Sequence, residues 1–528
     1  MEPYKVDNAI IMAAGMSSRF APLSYEKPKG TLVVKGEVLI ERQIRQLQEA
    51  GIHDITVVVG YMKEKFFYLG EKHGVDIVIN EDYYRYNNPS TLIHVLDRLG
   101  NTYICSSDNY FVDNVFEEYV YDSYYSAVFY AGACEEYGLY TDKQGRITGI
   151  NHYPEDMWIM MGHVYFSRRF SKIFSDILTA EYEKEQVKKE LWESLLERHL
   201  DKLPIYIRRY GGDKVLEFDS LSDLQRFDDR YLDNTDSRIF KNICRVLHCH
   251  ERDITDIAVI KQGLTNLSFK FSVHGEDYIY RHPGIGTEEY ISRDSEAFSM
   301  KLAKELGLDR TILEMDGDEG WKISRFIKNA RCLDYHNEKE VRQAIGMIRT
   351  LHDAAIRSPY DFDIWARTSK LIDKTAASHK DFDDFDFLQA EMSRLYEYAK
   401  GDNVPWVLCH CDCYDPNFLL DDDGTMTLID WEYSGNDDPA NDLGTFICCS
   451  DYTYDEALHI FDLYYGRTPT TAELRHSLAY VAIASYYWYV WAIYQESIGN
   501  TVGEYLFLWY KNAKEYMRRA MKLYKGEM

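Results

Sequence analysis

A change in hydrophobic pattern near residue 235 constrains the fold more than any other feature of the sequence. Before it, short apolar runs such as residues 9–12 and 102–105 alternate with helical periodicity, for example over 39–50 and a charged stretch over 180–200. Strands alternating with helices predict a doubly wound parallel sheet that is covered by helices on both faces. We therefore expect an α/β domain over residues 1–235.

After residue 235 the pattern becomes that of a different domain. Segments 258–261, 267–273 and 278–282 are typical of short antiparallel strands, and from about residue 330 the chain is mostly helical. We expect a second domain over residues 236–528. Its small β-rich lobe should span about 236–330 and its helical lobe about 331–528.

The charge balance argues against two classes of partner. The chain has 60 basic and 87 acidic residues, a net charge of -27, which repels both phosphate backbones and anionic lipid. Nucleic acid and membranes are therefore not expected as partners, although a few arginines in one cleft can still bind a small anion. The ten cysteines are scattered and no apolar leader segment is present, which predicts a cytoplasmic location. The oligomeric state is not indicated.

The uncharged segment 478–494 has two interpretations. It is nearly long enough to span a membrane. However, four tyrosines and two tryptophans are spread through its middle, whereas such residues lie at the ends of membrane helices. This distribution favours a buried helix that lines a site.

The loop after the first predicted strand combines small residues with two cations. These residues are Ala13, Ala14, Gly15, Arg19 and Lys29. Small residues let backbone N–H groups approach a triphosphate, and the cations can neutralise charge on phosphoryl oxygens. A glycine turn followed by a solvated basic loop is the alternative, but the spacing of the two cations favours the phosphate site.

This loop resembles the A-A-G-x-G-x-R signature, followed by P-K, of nucleotidyltransferases, and in particular of the bacterial CTP:phosphocholine cytidylyltransferases. The resemblance extends over about residues 8–230 and assigns Asn88 to nucleotide binding. It implies transfer of CMP from CTP to phosphocholine. Ser17 stands where the signature has its second glycine, a departure that puts the loop geometry in question.

The same resemblance suggests that Asp108 and Asp219 hold magnesium. Mg²⁺ is usually bound by one or two carboxylates together with phosphate oxygens. Asp108 follows the fourth predicted strand, and parallel sheets bind ligands at that edge. A capping role is the alternative for Asp108, and Glu217, on the same strand face as Asp219, is an alternative ligand.

Phosphocholine carries a quaternary ammonium, which makes no hydrogen bonds and is bound by aromatic faces and nearby carboxylates. By position in the family pattern, Tyr137 and Trp192 are the candidates, and both lie beside glutamates. Core packing is the open alternative, because tyrosines near acids are expected by chance in a chain with 44 tyrosines.

The strongest motif lies between residues 409 and 432. Asp412 precedes Asn417 by five residues, and Asp430 follows thirteen residues later. This is the spacing of a phosphotransferase loop, in which the first aspartate orients the acceptor hydroxyl while the asparagine and second aspartate hold Mg²⁺ on the phosphates of ATP.

A zinc site is a weaker interpretation of the same segment, with the ligands Cys409, His410, Cys411 and Cys413. Structural zinc ligands usually have two or more residues between paired cysteines. Apolar packing around the loop is therefore the favoured role for these cysteines.

Residues 245–495 resemble the choline and ethanolamine kinase family, with aminoglycoside phosphotransferases as more distant relatives. The resemblance places Arg281 on the ATP phosphates, Glu296 as its ion-pair partner and residues 263–266 in a loop over the nucleotide. His352 and Asp442 are further family-like features, for which local bracing is the alternative to direct contact.

Trp488 and Trp491 are three residues apart and share one face of a helix. In choline kinases a matching pair walls the ammonium pocket, and Tyr414 and Glu432, each beside a catalytic element, are candidates for further walls. A purely structural role in the core is the alternative for the two tryptophans.

Together the resemblances imply a doubly wound, Rossmann-like nucleotidyltransferase domain followed by a two-lobed α+β protein-kinase-like domain. The expected enzyme phosphorylates choline with ATP and then transfers CMP from CTP to phosphocholine, with Mg²⁺ in both domains and release of pyrophosphate. One rival is a sugar-phosphate nucleotidyltransferase fused to an aminoglycoside-type kinase. The other is a decayed two-domain binding protein, against which the intact acidic and basic motif residues argue.

Overall fold

The structure, a computed structural model, describes residues 3–262, 266–284, 292–375 and 382–527. The chain divides into two compact units, residues 1–262 with 272–274 and the remainder. This division lies after the predicted boundary at residue 235, because the helix that begins at Arg238 is hydrogen-bonded to Glu26 of the first unit. The Glu26 carboxylate accepts hydrogen bonds from the Ser237 hydroxyl at 2.5 Å and the Arg238 N–H at 2.8 Å. The domain limits given above stay a prediction.

The first unit alternates strands and helices over most of its length. Its strands are β1 (Tyr4–Lys5), β2 (Asn8–Ala13), β3 (Val33–Val34), β4 (Glu37–Val38), β5 (Ile55–Val59), β6 (Asp76–Ile79), β7 (Thr102–Ser106), β8 (Asn109–Phe111), β9 (Tyr119–Val120), β10 (Tyr124–Ala133), β11 (Gly138–Thr141), β12 (Ile147–Asn151), β13 (Glu155–Phe166), β14 (Tyr206–Tyr210), β15 (Val215–Glu217) and β16 (Ile254–Gln262). Its helices are α1 (Leu39–Glu49), α2 (Tyr68–His73), α3 (Pro89–Ile93), α4 (Arg168–Glu181), α5 (Glu185–Lys189), α6 (Trp192–Arg198), α7 (Leu221–Phe227), α8 (Arg230–Asp233) and α9 (Arg238–Leu247).

A nine-stranded mixed sheet forms the centre of this unit. Strands β7, β2, β5 and β6 are parallel neighbours in that order, as the sequence pattern predicts. Strand β13 is antiparallel to β7 and to β10, whereas β10 and β14 pair in parallel, so the sheet is mixed and not parallel throughout. The last five residues of β10 are exposed, so only the first half of this strand is covered as a buried strand of the sheet would be.

The second unit begins with strands and becomes helical. Its strands are β17 (Asn266–Val273), β18 (Glu276–Pro283), β19 (Ile312–Met315), β20 (Lys322–Arg325), β21 (Arg331–Cys332), β22 (Val407–Cys409), β23 (Phe418–Leu420), β24 (Met426–Leu428) and β25 (Gly435–Asp437). Its helices are α10 (Arg293–Glu305), α11 (Glu338–Asp353), α12 (Ile364–Thr375), α13 (Phe385–Lys400), α14 (Ala440–Cys448), α15 (Tyr454–Tyr465), α16 (Thr471–Ser497) and α17 (Tyr505–Tyr524). Strand β20 is antiparallel to both its neighbours in the sheet, β18 and β19.

Helix α16 is the centre of the helical part. It packs against α12, α13, α14 and α17, and nearly every residue from His476 to Ile493 is buried. A helix surrounded in this way is apolar on all sides. This confirms the buried-helix interpretation of segment 478–494. In the part of the chain that the structure describes, no helix has the length and apolar character needed to span a membrane.

Candidate active sites

In the first unit, the loop after β2 brings Lys29 between two carboxylates. The Lys29 Nζ atom lies 3.0 Å from Asp108 Oδ2 and 3.5 Å from Asp219 Oδ1, and Arg19 Nη2 lies 3.1 Å from the same Asp219 oxygen. Lys29 is buried, with 5% of its side chain exposed. Four residues that were predicted separately as phosphate and metal ligands therefore form one cluster.

Two backbone features position this cluster. A Cβ atom at Gly30 would lie 2.9 Å from Ser107 Cβ, so glycine is needed for the Lys29 turn to approach the end of β7, next to Asp108. Ser17 has φ +49° and ψ +46°, the left-handed conformation that glycine adopts without strain. The serine in place of the signature glycine therefore keeps the glycine-type backbone conformation.

The electrostatics of the cluster favour its charged form. Burial lowers the pKa of Lys29, but the negative charges of Asp108, Glu217 and Asp219 outweigh burial and the pKa is raised overall. Burial raises the pKa of Asp108, but the charge of Lys29 and hydrogen bonds from Lys29 and Ser106 together hold this pKa below its usual range. Burial and the charge of Asp108 raise the pKa of Glu217 well above its usual range. Glu217 accepts a hydrogen bond from Asn109 at 3.2 Å.

Asp108 and Asp219 fit a magnesium ion. The Oδ1 atom of Asp108 is buried and has no hydrogen-bond partner, so this oxygen keeps lone pairs that a cation could use. Carboxylate oxygens are the donors that Mg²⁺ prefers, and phosphate oxygens of a nucleotide would complete the coordination.

The residues predicted to hold the ammonium lie near this cluster but differ in exposure. Trp192 is buried in the core and stacks on Tyr125, with ring centroids 5.9 Å apart. The structure thus places Trp192 where the core-packing alternative expects it, without a free aromatic face. Tyr137 is partly buried and contacts the His152 ring edge-on at 5.0 Å. The side-chain oxygen of Asn88, a residue assigned above to the nucleotide, accepts a hydrogen bond from the backbone N–H of Trp192 at 2.7 Å.

Glu193 and Tyr125 were not among the predicted site residues. The Tyr125 hydroxyl donates a hydrogen bond to Glu193 at 3.0 Å, and Asn88 Nδ2 lies 3.5 Å from the other carboxylate oxygen. Burial raises the pKa of Glu193 to about 7, and the charge of nearby Glu136 adds to the effect. Tyr125 lies in an apolar strand and carries no sequence signal, whereas Glu193 follows Trp192 directly and could have been chosen.

In the second unit, the predicted phosphotransferase loop is assembled by hydrogen bonds. The Asn417 Nδ2 atom donates to the Asp412 carbonyl oxygen at 2.8 Å and to Asp412 Oδ2 at 3.0 Å. Asp412 is 8% exposed. Burial and the charges of Asp430, Glu432 and Asp442 raise the pKa of Asp412 well above its usual range, against the effect of Asn417.

Asn417 and Asp430 fit a second magnesium site. The amide nitrogen of Asn417 is engaged by Asp412, so its oxygen is the atom that a hard cation would use. The Asp430 side chain is 43% exposed and lies at the end of the loop after β24, with φ +67°. A left-handed backbone at a residue other than glycine is frequent at functional sites.

The predicted ion pair between Arg281 and Glu296 is confirmed, with a distance of 2.5 Å between Nη2 and Oε1. Glu296 is fully buried, and although burial raises its pKa, Arg281 and Lys322 lower it to about 2. Arg281 Nη1 also lies 3.7 Å from Glu432 and 3.9 Å from Asp430. Glu432 therefore faces the arginine as well as the loop.

Asp442 anchors the catalytic loop from the helical side. Its carboxylate accepts the backbone N–H of His410 at 2.9 Å and of Cys411 at 2.7 Å, and contacts His352 Nε2 at 3.0 Å. His352 and Asp442 thus have the bracing role that the sequence left open. The other His352 nitrogen contacts the Tyr464 hydroxyl at 2.9 Å.

The zinc interpretation fails because three of its four residues face different hydrogen-bond partners. His410 Nε2 donates to the Ile429 carbonyl at 3.0 Å, and the thiols of Cys409 and Cys411 face the carbonyls of Asp437 and Gly435. Within the described ranges, Cys409 approaches a metal-like arrangement only with His352 and Asp442, and both histidine nitrogens there already have hydrogen-bond partners.

An aromatic cluster lies on helices α16 and α17. Trp488 and Trp491 contact each other edge-on at 5.6 Å, and Trp509 of α17 lies 5.8 Å from Trp488. Tyr433, just after the Asp430 turn, contacts Trp488 edge-on at 6.2 Å, and Tyr505 stacks on Trp509 at 5.2 Å. Trp509, Tyr433 and Tyr505 were not predicted.

Tyr414 and the nucleotide loop complete the comparison with the predictions. Tyr414 is partly buried, and burial together with the charge of Asp412 raises its pKa. The predicted loop at 263–266 lies outside the described residues apart from the backbone of Asn266.

A glycine sets the distance between helices α14 and α16. A Cβ atom at Gly444 would lie 2.5 Å from the Tyr480 carbonyl oxygen, closer than any side chain permits. Helix α14 carries Asp442, and α16 carries Trp488 and Trp491. The loop anchor and the aromatic cluster therefore rest on two helices in direct backbone contact.

Two protein-family models match separate parts of the chain. Residues 9–135 match the MobA-like NTP transferase domain, and residues 257–479 match choline/ethanolamine kinase. Both predicted fold classes are thereby confirmed.

Individual relatives agree with this division. The chain is 30% identical over 221 residues to choline-phosphate cytidylyltransferase of Streptococcus pneumoniae, covering 42% of this chain and 96% of that protein. It is 33% identical over 229 residues to 2-aminoethylphosphonate cytidylyltransferase of Lancefieldella rimae, covering 43% and 93%. It is 25% identical over 300 residues to a probable ethanolamine kinase of Arabidopsis thaliana, covering 49% and 78%.

These matches and the two residue clusters agree on one assignment. The first part of the chain belongs to the MobA-like nucleotidyltransferases, as a homologue of choline-phosphate cytidylyltransferase, and the second part is a choline/ethanolamine kinase domain.

Proposed function

We propose that the chain is a bifunctional enzyme of CDP-choline synthesis. Its second unit phosphorylates choline with ATP, and its first unit transfers CMP from CTP to the resulting phosphocholine with release of pyrophosphate. The observation that carries this proposal is the aromatic cluster of Trp488, Trp491 and Trp509, which is joined through Tyr433 to the catalytic loop. Aromatic faces suit a cation that has no N–H donors.

In the kinase unit, the Asp412 carboxylate would accept a hydrogen bond from the choline hydroxyl and orient it toward the γ-phosphate. Asn417 holds this carboxylate in place through its amide nitrogen. Arg281, fixed by Glu296, would contact the ATP phosphates. Asn417 and Asp430 would hold Mg²⁺, which neutralises phosphate charge when bound.

In the transferase unit, a phosphocholine oxygen would attack the α-phosphorus of CTP while pyrophosphate leaves. Lys29 and Arg19 would stabilise the negative charge that develops on the phosphoryl oxygens. Asp108 and Asp219 would hold Mg²⁺, which orients the triphosphate when bound. No covalent enzyme intermediate is required, and positioning supplies most of the rate.

A primary-amine substrate is a second candidate for each unit. One relative acts on 2-aminoethylphosphonate and another is a probable ethanolamine kinase, as their names state. In the first unit, the Glu193 carboxylate could accept hydrogen bonds from a primary ammonium, which quaternary choline cannot donate.

Product analysis tests the proposal. The purified chain is incubated with Mg²⁺, ATP and CTP, and with choline or ethanolamine, and the products are identified by mass spectrometry. In parallel, phosphocholine, phosphoethanolamine and 2-aminoethylphosphonate are compared as CMP acceptors. We expect CDP-choline from choline and a preference for phosphocholine. A preference of at least tenfold for a primary-amine acceptor would assign the second candidate, and turnover of none of these substrates would reject both.

A further inference from the structure

Helix α17 presents one basic face to solvent. Its core side carries Trp509, Ala513, Tyr516 and Ala520, which are buried. On the other side, successive spacings of four, three, four and four residues place five side chains in one row, because such spacings return to the same side of a helix. This basic stripe consists of Phe507, Lys511, Lys514, Arg518 and Lys522, and it extends over about 22 Å at about 1.5 Å per residue.

Most of the positive charge of the stripe is not balanced by the protein. Residues 505–525 contain six cations and one carboxylate. Lys514 is paired with Asp384 at 2.5 Å, and Arg519, beside the stripe, with Glu515 at 2.9 Å. Lys511, Arg518 and Lys522 form no ion pair with any residue that the structure describes.

The net charge of -27 does not cancel this local field. At physiological ionic strength the Debye length is about 8 Å, so an approaching surface interacts with the cations of the stripe and not with distant carboxylates. The exclusion of anionic surfaces, which rests on the charge of the whole chain, therefore does not extend to α17.

Exposed phenylalanines accompany the cations. Phe507, at the start of the stripe, is 69% exposed. Phe387, in the first turn of α13, is 61% exposed, and Asp384 three residues before it contacts both Lys514 and Tyr510. Basic residues beside exposed aromatic side chains are the composition of helices that lie on membrane interfaces.

The shape of the face argues against a compact ligand. The depression along it, of about 530 Å³, is lined by side chains of α17 alone. Small-molecule sites are concave and usually recruit polar groups from several elements. A row of cations on one open helix face is complementary to an extended anionic surface.

We propose that the basic stripe of α17 binds an anionic lipid surface, with Phe507 inserted at the interface. The inference rests on helix α17 and its neighbour α13 and is independent of the substrates of either active site. Each lysine or arginine near an anionic membrane adds a modest attraction, so several act together to give measurable binding.

Vesicle sedimentation with the full chain tests this proposal. The chain is mixed with vesicles of phosphatidylcholine alone or with about one third phosphatidylglycerol. The triple variant Lys511→Gln, Arg518→Gln, Lys522→Gln is compared with a control triple that changes net charge equally, Lys301→Gln, Lys339→Gln, Lys370→Gln. The control lysines are exposed on helices α10, α11 and α12. Thermal unfolding checks that both triples remain folded.

We expect the chain to bind only the anionic vesicles, in a salt-sensitive manner. The stripe triple should lower the partition coefficient at least about tenfold, the control triple less than about twofold, and Phe507→Ser about three- to tenfold. Equal binding of the stripe triple and the control triple would overturn the proposal. So would absence of anionic-vesicle binding by the unaltered chain, including a case in which it binds single-stranded oligonucleotide instead.

Discussion

The two active sites hold their charges in different ways. In the first unit, Lys29 lies directly between Asp108 and Asp219, the carboxylates that would hold the metal. In the second unit, Arg281 pairs most closely with the fully buried Glu296, at 2.5 Å, and approaches the predicted metal ligand Asp430 only at 3.9 Å. Lys29 thus belongs to the predicted metal and phosphate site itself, whereas Arg281 mainly neutralises the buried Glu296 beside its site.

Because of this difference, we expect the two cations to contribute differently to reaction rate and to folding stability. A phosphate that enters the first site must compete with two carboxylates for Lys29. In the second site, Asp412 and Asn417 are already joined by hydrogen bonds, and preorganised groups need little rearrangement during reaction. We therefore expect the first cation to matter mostly for rate, and the second for rate and stability together.

The largest expected effect comes from removing one central carboxylate in each site. Asp412→Asn should lower kinase kcat by about 10²- to 10⁴-fold, because it removes the group that accepts the hydroxyl proton. Asp108→Asn should lower cytidylyl transfer by about 10²- to 10³-fold, because metal and phosphate positioning are lost. Separate assays with supplied phosphocholine measure the two reactions.

Each variant serves as the control for the other, since neither should impair the second activity more than about twofold. Asp412→Asn should also raise the stability of its unit at pH 8, because burial and Asp430 raise the pKa of this carboxyl in the folded chain. A folded variant that loses both activities would contradict independent sites.

Replacing the two cations by methionine tests the comparison directly. Arg281→Met leaves Glu296 buried without its main partner and should destabilise the second unit by about 3 to 5 kcal/mol. Lys29→Met should cost the first unit less than about 2 kcal/mol, because water can reach Asp108 and Asp219, yet it should slow cytidylyl transfer by about 10³-fold.

Hydrogen exchange of peptides from each unit measures the two stability losses separately. Arg293 and Lys322 lie 3.2 and 3.6 Å from Glu296 and will offset part of the charge. Equal stability losses in the two variants would show that Lys29 and Arg281 contribute equally to the stability of their units, contrary to this prediction.

Stability of the first unit should depend on pH through Glu193. Its pKa is raised to about 7 by burial, above the usual 4.5, so its contribution to stability is complete below about pH 4.5 and is lost as the pH rises through 7. As the pH rises from 5 to 8, the free energy of unfolding of Glu193→Gln should therefore increase by about 2 to 3 kcal/mol relative to that of the unaltered chain. Denaturant unfolding at both pH values checks this, and a pH-independent difference between the two proteins would exclude a shifted Glu193.

The aromatic cluster should affect substrate binding more modestly. Replacing Trp488, Trp491 or Trp509 by leucine keeps apolar bulk but removes the aromatic face, worth about 0.5 to 2 kcal/mol toward a cation. We expect KM for choline to rise about three- to thirtyfold, with little change for ATP. Ethanolamine phosphorylation, if present, should change less. Folded variants with an unaltered KM for choline would show that the aromatic cluster has a purely structural role.

The smallest effect should follow from Ser17→Gly. The left-handed backbone of Ser17 costs about 1 to 2 kcal/mol for a residue with a side chain, and the flexibility of glycine offsets about half of this. We expect the free energy of unfolding, measured by thermal unfolding, to increase by up to about 1 kcal/mol, with an unchanged rate of cytidylyl transfer.

Sequence reasoning succeeded where function depends on short spacing. Asp412 and Asn417 are five residues apart on one loop, so their contact follows from the motif. Arg281 and Glu296 come from adjacent elements, and a cation buried on a strand needs a nearby carboxylate. The parallel centre of the first sheet likewise follows from continuous apolar runs.

It failed where distant segments meet. Trp509 joins Trp488 only because α17 packs along α16, and no local pattern encodes that contact. The single charged helix expected over 180–200 is instead α5 and α6 after the end of α4, because the backbone becomes extended at Glu190 and Leu191 and directs Trp192 into the core. The periodicity indicated one helix, and no local signal marked the break before the buried Trp192.

The contact at Gly444 ties the geometry of catalysis to the geometry of recognition. Because only a hydrogen atom separates α14 from the Tyr480 carbonyl, any side chain there would act as a wedge between the two helices. A side chain at this position would push α14 and α16 apart and would therefore displace Asp442 and Trp488 together. We therefore expect a side chain at position 444 to change the selectivity among amino alcohols of different chain length, because Asp442 and Trp488 would move together.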